Sequence, residues 1–280
     1  MMSGKEYATP FPMLRAVSLL SHRTRIQKFQ QAIIKTVRSN HHVIDLGTGS
    51  GILALLAAQQ GARVTALDAN SESLRYAKEA AEKNKLADKI EFVHSHFQEY
   101  KPEEKADVVI CEMLSSLMLI EQQIPASRYS VEYLLKPSGR LIPEQVALFV
   151  VPVQNEILWN RFEVEGLIFP RIPQTAEKGQ STDLAELTEL ARFNLLESSA
   201  NKDCIDERLE FKILQEGSVH GLVGMFESKL CDGITLSMND GWRELFIPLT
   251  EPIEVSLGER LNIRIRFNPG QYDSLTIERN

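Results

Sequence analysis

Apolar and polar positions follow two rhythms along this chain, and the change comes near its middle. From residue 41 to about 150, short β-branched runs alternate with helix-forming stretches. "HHVIDLG" reads as a strand and "SGILALLAAQQG" as a helix stopped at Gly61. "ARVTALD" is a second strand, followed by "SESLRYAKEAAEKN", where Leu74, Ala77 and Ala81 recur at helical spacing behind Ser71 as the expected N-cap. "KIEFVH" and "ADVVICE" repeat the strand signal. A helix over residues 126–135, a "KPSG" turn and the strand "RLIPEQVALFV", broken at Pro143, complete this half. Strands alternating with helices predict an α/β fold with a doubly wound, mostly parallel sheet.

Beyond residue 150 the period shortens to two. In "EPIEVSLGERLNIRIRFNPGQYDSLTIE", Leu261, Ile263, Ile265 and Phe267 alternate with Asn262, Arg264 and Arg266, and "EFKILQEGSVHGLVGMFESKL" is equally strand-rich. An antiparallel, barrel-like sheet is expected here. Before it, "PQTAEKGQSTDLAELTELARFNLLES" reads as a polar turn and an amphipathic helix. The expected division is therefore residues 1–145 and 146–280, with the boundary near "RLIPEQ", where Pro143 interrupts the last strand of the first pattern.

Composition narrows the classes. In 280 residues, 43% hydrophobic content is enough to fill a sizeable core, while no run reaches the roughly 18 apolar residues of a membrane span and no signal peptide opens the chain. A cytoplasmic protein with no membrane partner is expected. Cys111, Cys204 and Cys231 form no CxxC pair, so neither a disulfide framework nor a cysteine zinc site is encoded, and reduced, buried thiols are expected. A net charge of -7 argues against direct nucleic-acid binding and suits a cationic substrate. His94 and His96 share one side of a strand without a third ligand nearby, so no metal is expected there, and His220 is expected to pack. His41 and His42 are expected to be solvated.

Two stretches carry chemistry. "DLGTGSG" places Gly47, Gly49 and Gly51 between a strand and a helix, where glycine lets backbone approach a ligand and the helix start offers free N–H groups. Asp68 ends the second strand at the distance where an acidic residue takes the two hydroxyls of a ribose. The same residues would suit a tight turn with Asp68 capping the next helix, but the strand–turn–helix context favours a nucleoside, and GxGxG fits a methyl donor better than a dinucleotide. In "CEMLSSLMLIE", Glu112 and Glu121 bracket a very apolar run at the end of a fourth strand. Singly, they could cap a strand and sit on a solvated helix. Together, at the strand end where ligands of α/β sheets bind, they suit the grip of a cation.

The chain resembles the class I S-adenosylmethionine-dependent methyltransferases, with their seven-strand-type sheet, and most of all the protein arginine methyltransferases, as a divergent member. "LKPSG" is similar to the class's "LKPGG", "ICEMLSSLMLIE" to that family's double-glutamate loop "SEWMGY", and "HGLVGMFESKL" with "FIPLTEPIEVSLGERL" to its β-barrel. The resemblance implies S-adenosyl-L-methionine as methyl donor and a protein or peptide arginine as acceptor. It implies that Glu112 and Glu121 orient the guanidinium and that Arg25 pairs with the donor's carboxylate. Asp45, Gly47, Gly49, Gly51 and Asp68 would hold the donor, with Phe97 or Gln98 at the adenine. It further implies a homodimer, for which a helical arm over residues 172–200 is expected.

Departures cluster on the acceptor side. Of the tyrosine-rich N-terminal motif only Tyr7 remains; Met113, Ser115 and Ser116 replace the tryptophan, glycine and tyrosine of "SEWMGY"; and "DGW" stands for "THW", with Asp240 and Gly241 in place of threonine and histidine. Two other readings follow: a methyltransferase acting on a small amine or metabolite, and a non-catalytic donor-binding partner of another enzyme.

Overall fold

The computed structural model describes residues 12–197 and 204–279; Tyr7 lies outside them. Two helices, α1 (Met13–Ser18) and α2 (Arg23–Thr36), precede the first sheet. The alternating half then runs β1 (His42–Leu46), α3 (Ile52–Gln59), β2 (Arg63–Asp68), α4 (Ser71–Lys83), β3 (Ile90–His94), β4 (Ala106–Cys111), α5 (Gln123–Tyr129) and β5 (Leu135–Ile142). Its five strands are parallel, in the order β3-β2-β1-β4-β5. The order reverses beside β1, so the carboxyl ends of β1, β2 and β4 open onto one crevice. Every residue of β1 is buried, as expected of a strand covered on both faces.

Two local expectations change. The N-cap of α4 is Asn70, whose extended backbone lets its side-chain oxygen accept from the N–H groups of Glu72 and Ser73, while Ser71 is already helical. His42 opens β1 and is buried, its Nε2 3.1 Å from Thr65 Oγ1, because pairing with β2 and β4 carries the strand start under cover.

Past Pro143 the chain enters an antiparallel sheet. β6 (Gln145–Gln154) leads to a short α6 (Glu156–Asn160), the small hairpin β7 (Glu163–Val164) and β8 (Leu167–Ile168), then β9 (Gln174–Ala176), β10 (Thr182–Asp183) and β11 (Thr188–Asn194). β12 (Ile205–Lys212), β13 (Gly217–Cys231), β14 (Ile234–Ser237), β15 (Glu244–Val255), β16 (Arg260–Asn268) and β17 (Gln271–Arg279) follow. The path β10-β6-β13-β15-β9, with β11 on β6 and β14 on β13, curls as a half-barrel; β12-β16-β17 form a smaller sheet. Leu261, Ile263, Ile265 and Phe267 all point into the core, as their spacing predicts. Cys111 and Cys231 are buried free thiols and Cys204 is partly exposed. Among the described residues no helix is long and apolar enough to cross a membrane.

The expected helix within 172–200 is instead strand. Leu190 and Phe193 sit three apart, which mimics helical spacing, but a bulge between Glu189 and Ala191 lets both turn inward from a strand paired with β6. A bulge is invisible to periodicity, and the long-range pairing overrides local propensity. Exposed apolar residues concentrate earlier, at Val164, Leu167, Ile168, Phe169 and Ile172.

Candidate active site

After β1 the chain turns through Gly47, Gly49 and Gly51 at φ of 68°, 53° and 81°, values that disfavour any side chain. Contacts reinforce the requirement: a Cβ on Gly51 would lie 2.7 Å from Ala77 of α4, and one on Gly49 3.2 Å from Ala16 of α1. Ala16 therefore lets α1 lie against the turn, a role that no sequence pattern announced. Asp68 fixes the turn from β2, accepting 2.8 Å bonds from the N–H groups of Gly49 and Asn70. Burial raises its pKa, opposed by those two bonds. Beneath lies Asp45, buried, accepting from Thr48 Oγ1 at 2.6 Å; burial pushes its pKa up to about 7 against that bond. Phe97 is buried edge-on to Tyr129, 5.8 Å between ring centres, whereas Gln98 is exposed. His94, beside Asp68 at the end of β3, has Nε2 3.0 Å from the Ala69 carbonyl. His220 packs edge-on to Trp159.

Glu112 is the first residue past β4, and the loop it opens is built to be buried. Leu114, Leu117, Met118 and Leu119 are almost fully enclosed between the two sheets. Leu117 and Met118 take left-handed backbone, turning the Leu117 side chain onto Gly224 of β13. A Cβ at 224 would overlap Leu117, so Gly224→Val is expected to cost about 1–3 kcal/mol of stability, the usual penalty of overpacking, in thermal or denaturant unfolding. Polar bonds complete the fixation. Trp242 Nε1 donates to the Leu114 carbonyl at 2.9 Å, Ser116 Oγ to that of Arg243 at 2.6 Å, and the Gly270 N–H to that of Met118 at 2.9 Å. From its own side, fully buried Gln123 accepts from the Met113 N–H at 2.8 Å and donates to Ser127 Oγ at 3.0 Å, while Ser115 Oγ accepts the Glu121 N–H at 3.1 Å. Gln123 was missed from sequence because a buried amide has no periodic signature.

The bond network brings the Glu112 carboxylate onto Arg25 of α2. Arg25 Nη2 forms an ion pair with Glu112 Oε2, and its guanidinium lies 5.2 Å from the centre of the Trp242 ring. Burial lowers the Arg25 pKa to about 10, opposed by the charge of Glu121. Burial raises Glu121 to about 7, opposed by Arg25 and Arg15. The arrangement holds one guanidinium between the Glu112 carboxylate and an aromatic face, within the field of Glu121. It can hold a planar cation beside a bound nucleoside.

A parallel sheet in this order, a glycine turn after β1, an acidic residue closing β2 and an antiparallel half-barrel behind them make up the fold of the class I methyltransferases with a β-barrel extension. Two family models divide the chain between them: "Ribosomal protein L11 methyltransferase (PrmA)" matches residues 22–142 and "PRMT5 oligomerisation domain" residues 146–270. Among curated proteins, "Probable protein arginine N-methyltransferase 6.1" of Oryza sativa subsp. indica is 30% identical over 146 residues, 49% of this chain and 37% of that protein. "Histone-arginine methyltransferase CARMER" of Anopheles gambiae is 26% identical over 93% of this chain and 47% of its own length. The chain thus spans about half or less of these relatives. A Trypanosoma brucei PRMT1 enzyme–prozyme heterotetrameric complex with AdoHcy matches in fold with a TM-score of 0.77 at 20% identity, over 94% of this chain and 95% of that one. Arabidopsis thaliana protein arginine methyltransferase 10 matches at 0.74 and 20%, over 88% and 85%. The chain is thus similar to a class I methyltransferase in its first half and to protein arginine methyltransferases over most of its length.

Proposed function

We propose that this chain transfers the methyl group of S-adenosyl-L-methionine to a guanidinium nitrogen of an arginine in a protein. The observation that carries this is Glu112, which already pairs with a guanidinium, that of Arg25 against Trp242, with the charge of Glu121 acting on the same group. The glycine turn fits the donor: its backbone leaves no room for side chains, and Asp68 stands beside it at the strand end, where a ribose diol would lie. Asp45 supports the turn from below, Phe97 offers an apolar wall to the adenine, and exposed Gln98 lies at the rim.

Guanidinium is a poor nucleophile because its lone pairs are delocalised and its pKa is above about 12. Glu112 and Glu121 hold the fork by charge-assisted bonds and draw its positive charge away from the attacking nitrogen. The enclosed apolar loop keeps water out, where those charges act more strongly. When bound, the donor supplies an electrophilic methyl: the carbon–nitrogen bond forms as carbon–sulfur breaks. The N–H proton then released passes to a Glu121 carboxylate oxygen, suited by its raised pKa. Arg25, freed from Glu112, turns to the donor's carboxylate; its buried Nε has no hydrogen-bond partner in the resting state. Arg25→Ala is therefore expected to weaken donor binding at least about tenfold by titration calorimetry, the scale of a lost charge-assisted bond.

On the same reading residues 1–145 hold the donor, residues 146–280 face the acceptor, and the protein works in the cytoplasm as a homodimer. The exposed apolar residues around the β7–β8 hairpin, within the half that matches an oligomerisation domain, support self-association. Leu167→Asp/Ile168→Asp is expected to halve the mass seen by light scattering; an unchanged mass would move the interface elsewhere. The acceptor is tested by incubating lysate with radiolabelled donor and the protein, then hydrolysing in acid. Label in methylated arginine supports the reading, and label in another amino acid or a small molecule overturns it.

A further inference from the structure

The N-terminal turn of α2 meets the barrel through three side chains spaced three residues apart, one helix face in all. Lys28 Nζ bonds buried Asp240 at 2.7 Å, the Arg25 guanidinium lies against Trp242, and His22 lies on Gly241. The last contact is the tightest: a Cβ on Gly241 would fall 2.5 Å from His22 Nδ1 and 2.8 Å from Cγ. With φ of 121°, Gly241 is also in backbone that other residues avoid. The turn 238–241 is rigid beneath it, since Asp240 also accepts the Ser237 N–H at 2.9 Å in a reciprocal capping box. Glycine at 241 thus leaves a slot one imidazole thick, filled from the other half of the molecule.

Resting on the reading above, we infer that His22 is a positioning residue for the methyl-transfer site, its imidazole wedged on Gly241 so that Trp242, and through its bond to Leu114 the double-glutamate loop, stay in place. The chain of contact is short. His22 presses on Gly241, whose neighbour Trp242 bonds the Leu114 carbonyl inside the double-glutamate loop and faces Arg25, the partner of Glu112. Burial, and then the charge of Arg25, lower the His22 pKa, which disfavours a second cation beside Arg25.

His22→Ala tests this in the full chain. Turnover on the labelled acceptor should fall at least about tenfold in kcat, with donor affinity and melting temperature close to the parent's, and free imidazole should recover part of the loss by refilling the slot. The chain has two tryptophans, so in a Trp159→Phe background Trp242 emission reports the wedge without turnover, and His22→Ala should shift it to the red. Turnover within twofold and unchanged emission would overturn the proposal. So would a loss that tracks donor affinity and melting temperature and ignores imidazole, which would make His22 a cap of α2 only. If the parent methylates no arginine, the functional reading fails, and the emission result still decides the place of His22.

Discussion

Glu112→Gln and Glu121→Gln are each expected to reduce methyl transfer at least about a hundredfold while leaving donor affinity within a few-fold. Each amide keeps the shape and much of the hydrogen bonding but removes one negative charge from a site closed to water, the scale seen when a preorganised electrostatic partner is lost. On the proposed reading the pair acts on one acceptor guanidinium, so the double variant should be little worse than either single one. Stability adds a second signature. Burial raises Glu121 to about 7 from an unfolded value near 4.3, so between those pH values the folded chain binds more protons than the unfolded one. Stability then falls as pH rises across that window, and Asp45, also raised to about 7, contributes in the same direction. Glu121→Gln removes its share, so its melting temperature should gain on the parent's as pH rises from about 4.5 to about 7, the span between the two values. Transfer needs the carboxylate ionised, so parental kcat/KM should climb through about pH 7 while stability declines. Full activity in both single variants would end the guanidinium reading in favour of a neutral or small-molecule acceptor.

Asp68→Ala is expected to abolish donor binding in titration calorimetry without unfolding the chain. The carboxylate stands partly exposed at the end of β2, so its loss removes no core packing. It does remove the acceptor that pins the Gly49 N–H and the paired acceptor for a ribose diol, two effects that converge on the same ligand. Asp68→Asn separates them: one oxygen can still hold the turn, but the diol meets a donor where it needs an acceptor. Intermediate affinity in Asp68→Asn would show that both contribute. Parental affinity in Asp68→Ala would remove the donor-site assignment and most of the nucleoside argument with it.

What the sequence determined by itself is the part governed by neighbours in the chain. Strand–helix alternation depends on local period, and it is enough to specify the parallel sheet and the site of its crevice. A glycine turn needs its glycines wherever it lies, and period-two alternation places Leu261, Ile263, Ile265 and Phe267 inward without reference to the partner strand. Only tertiary structure decided the rest. Leu190 and Phe193 read as helix until pairing with β6 introduced a bulge, a feature belonging to two strands at once. His42 was buried by its neighbours in the sheet rather than by its own polarity. Gln123, Ala16 and His22 carry no pattern at all. Each matters because of what lies across a gap: a loop N–H for Gln123, a glycine turn for Ala16, and Gly241 for His22. The apolar run between Glu112 and Glu121 is visible in sequence. That it is held between two sheets, with Glu112 on the Arg25 guanidinium, follows from contacts more than a hundred residues apart, from Trp242 to Leu114 and from Gly270 to Met118.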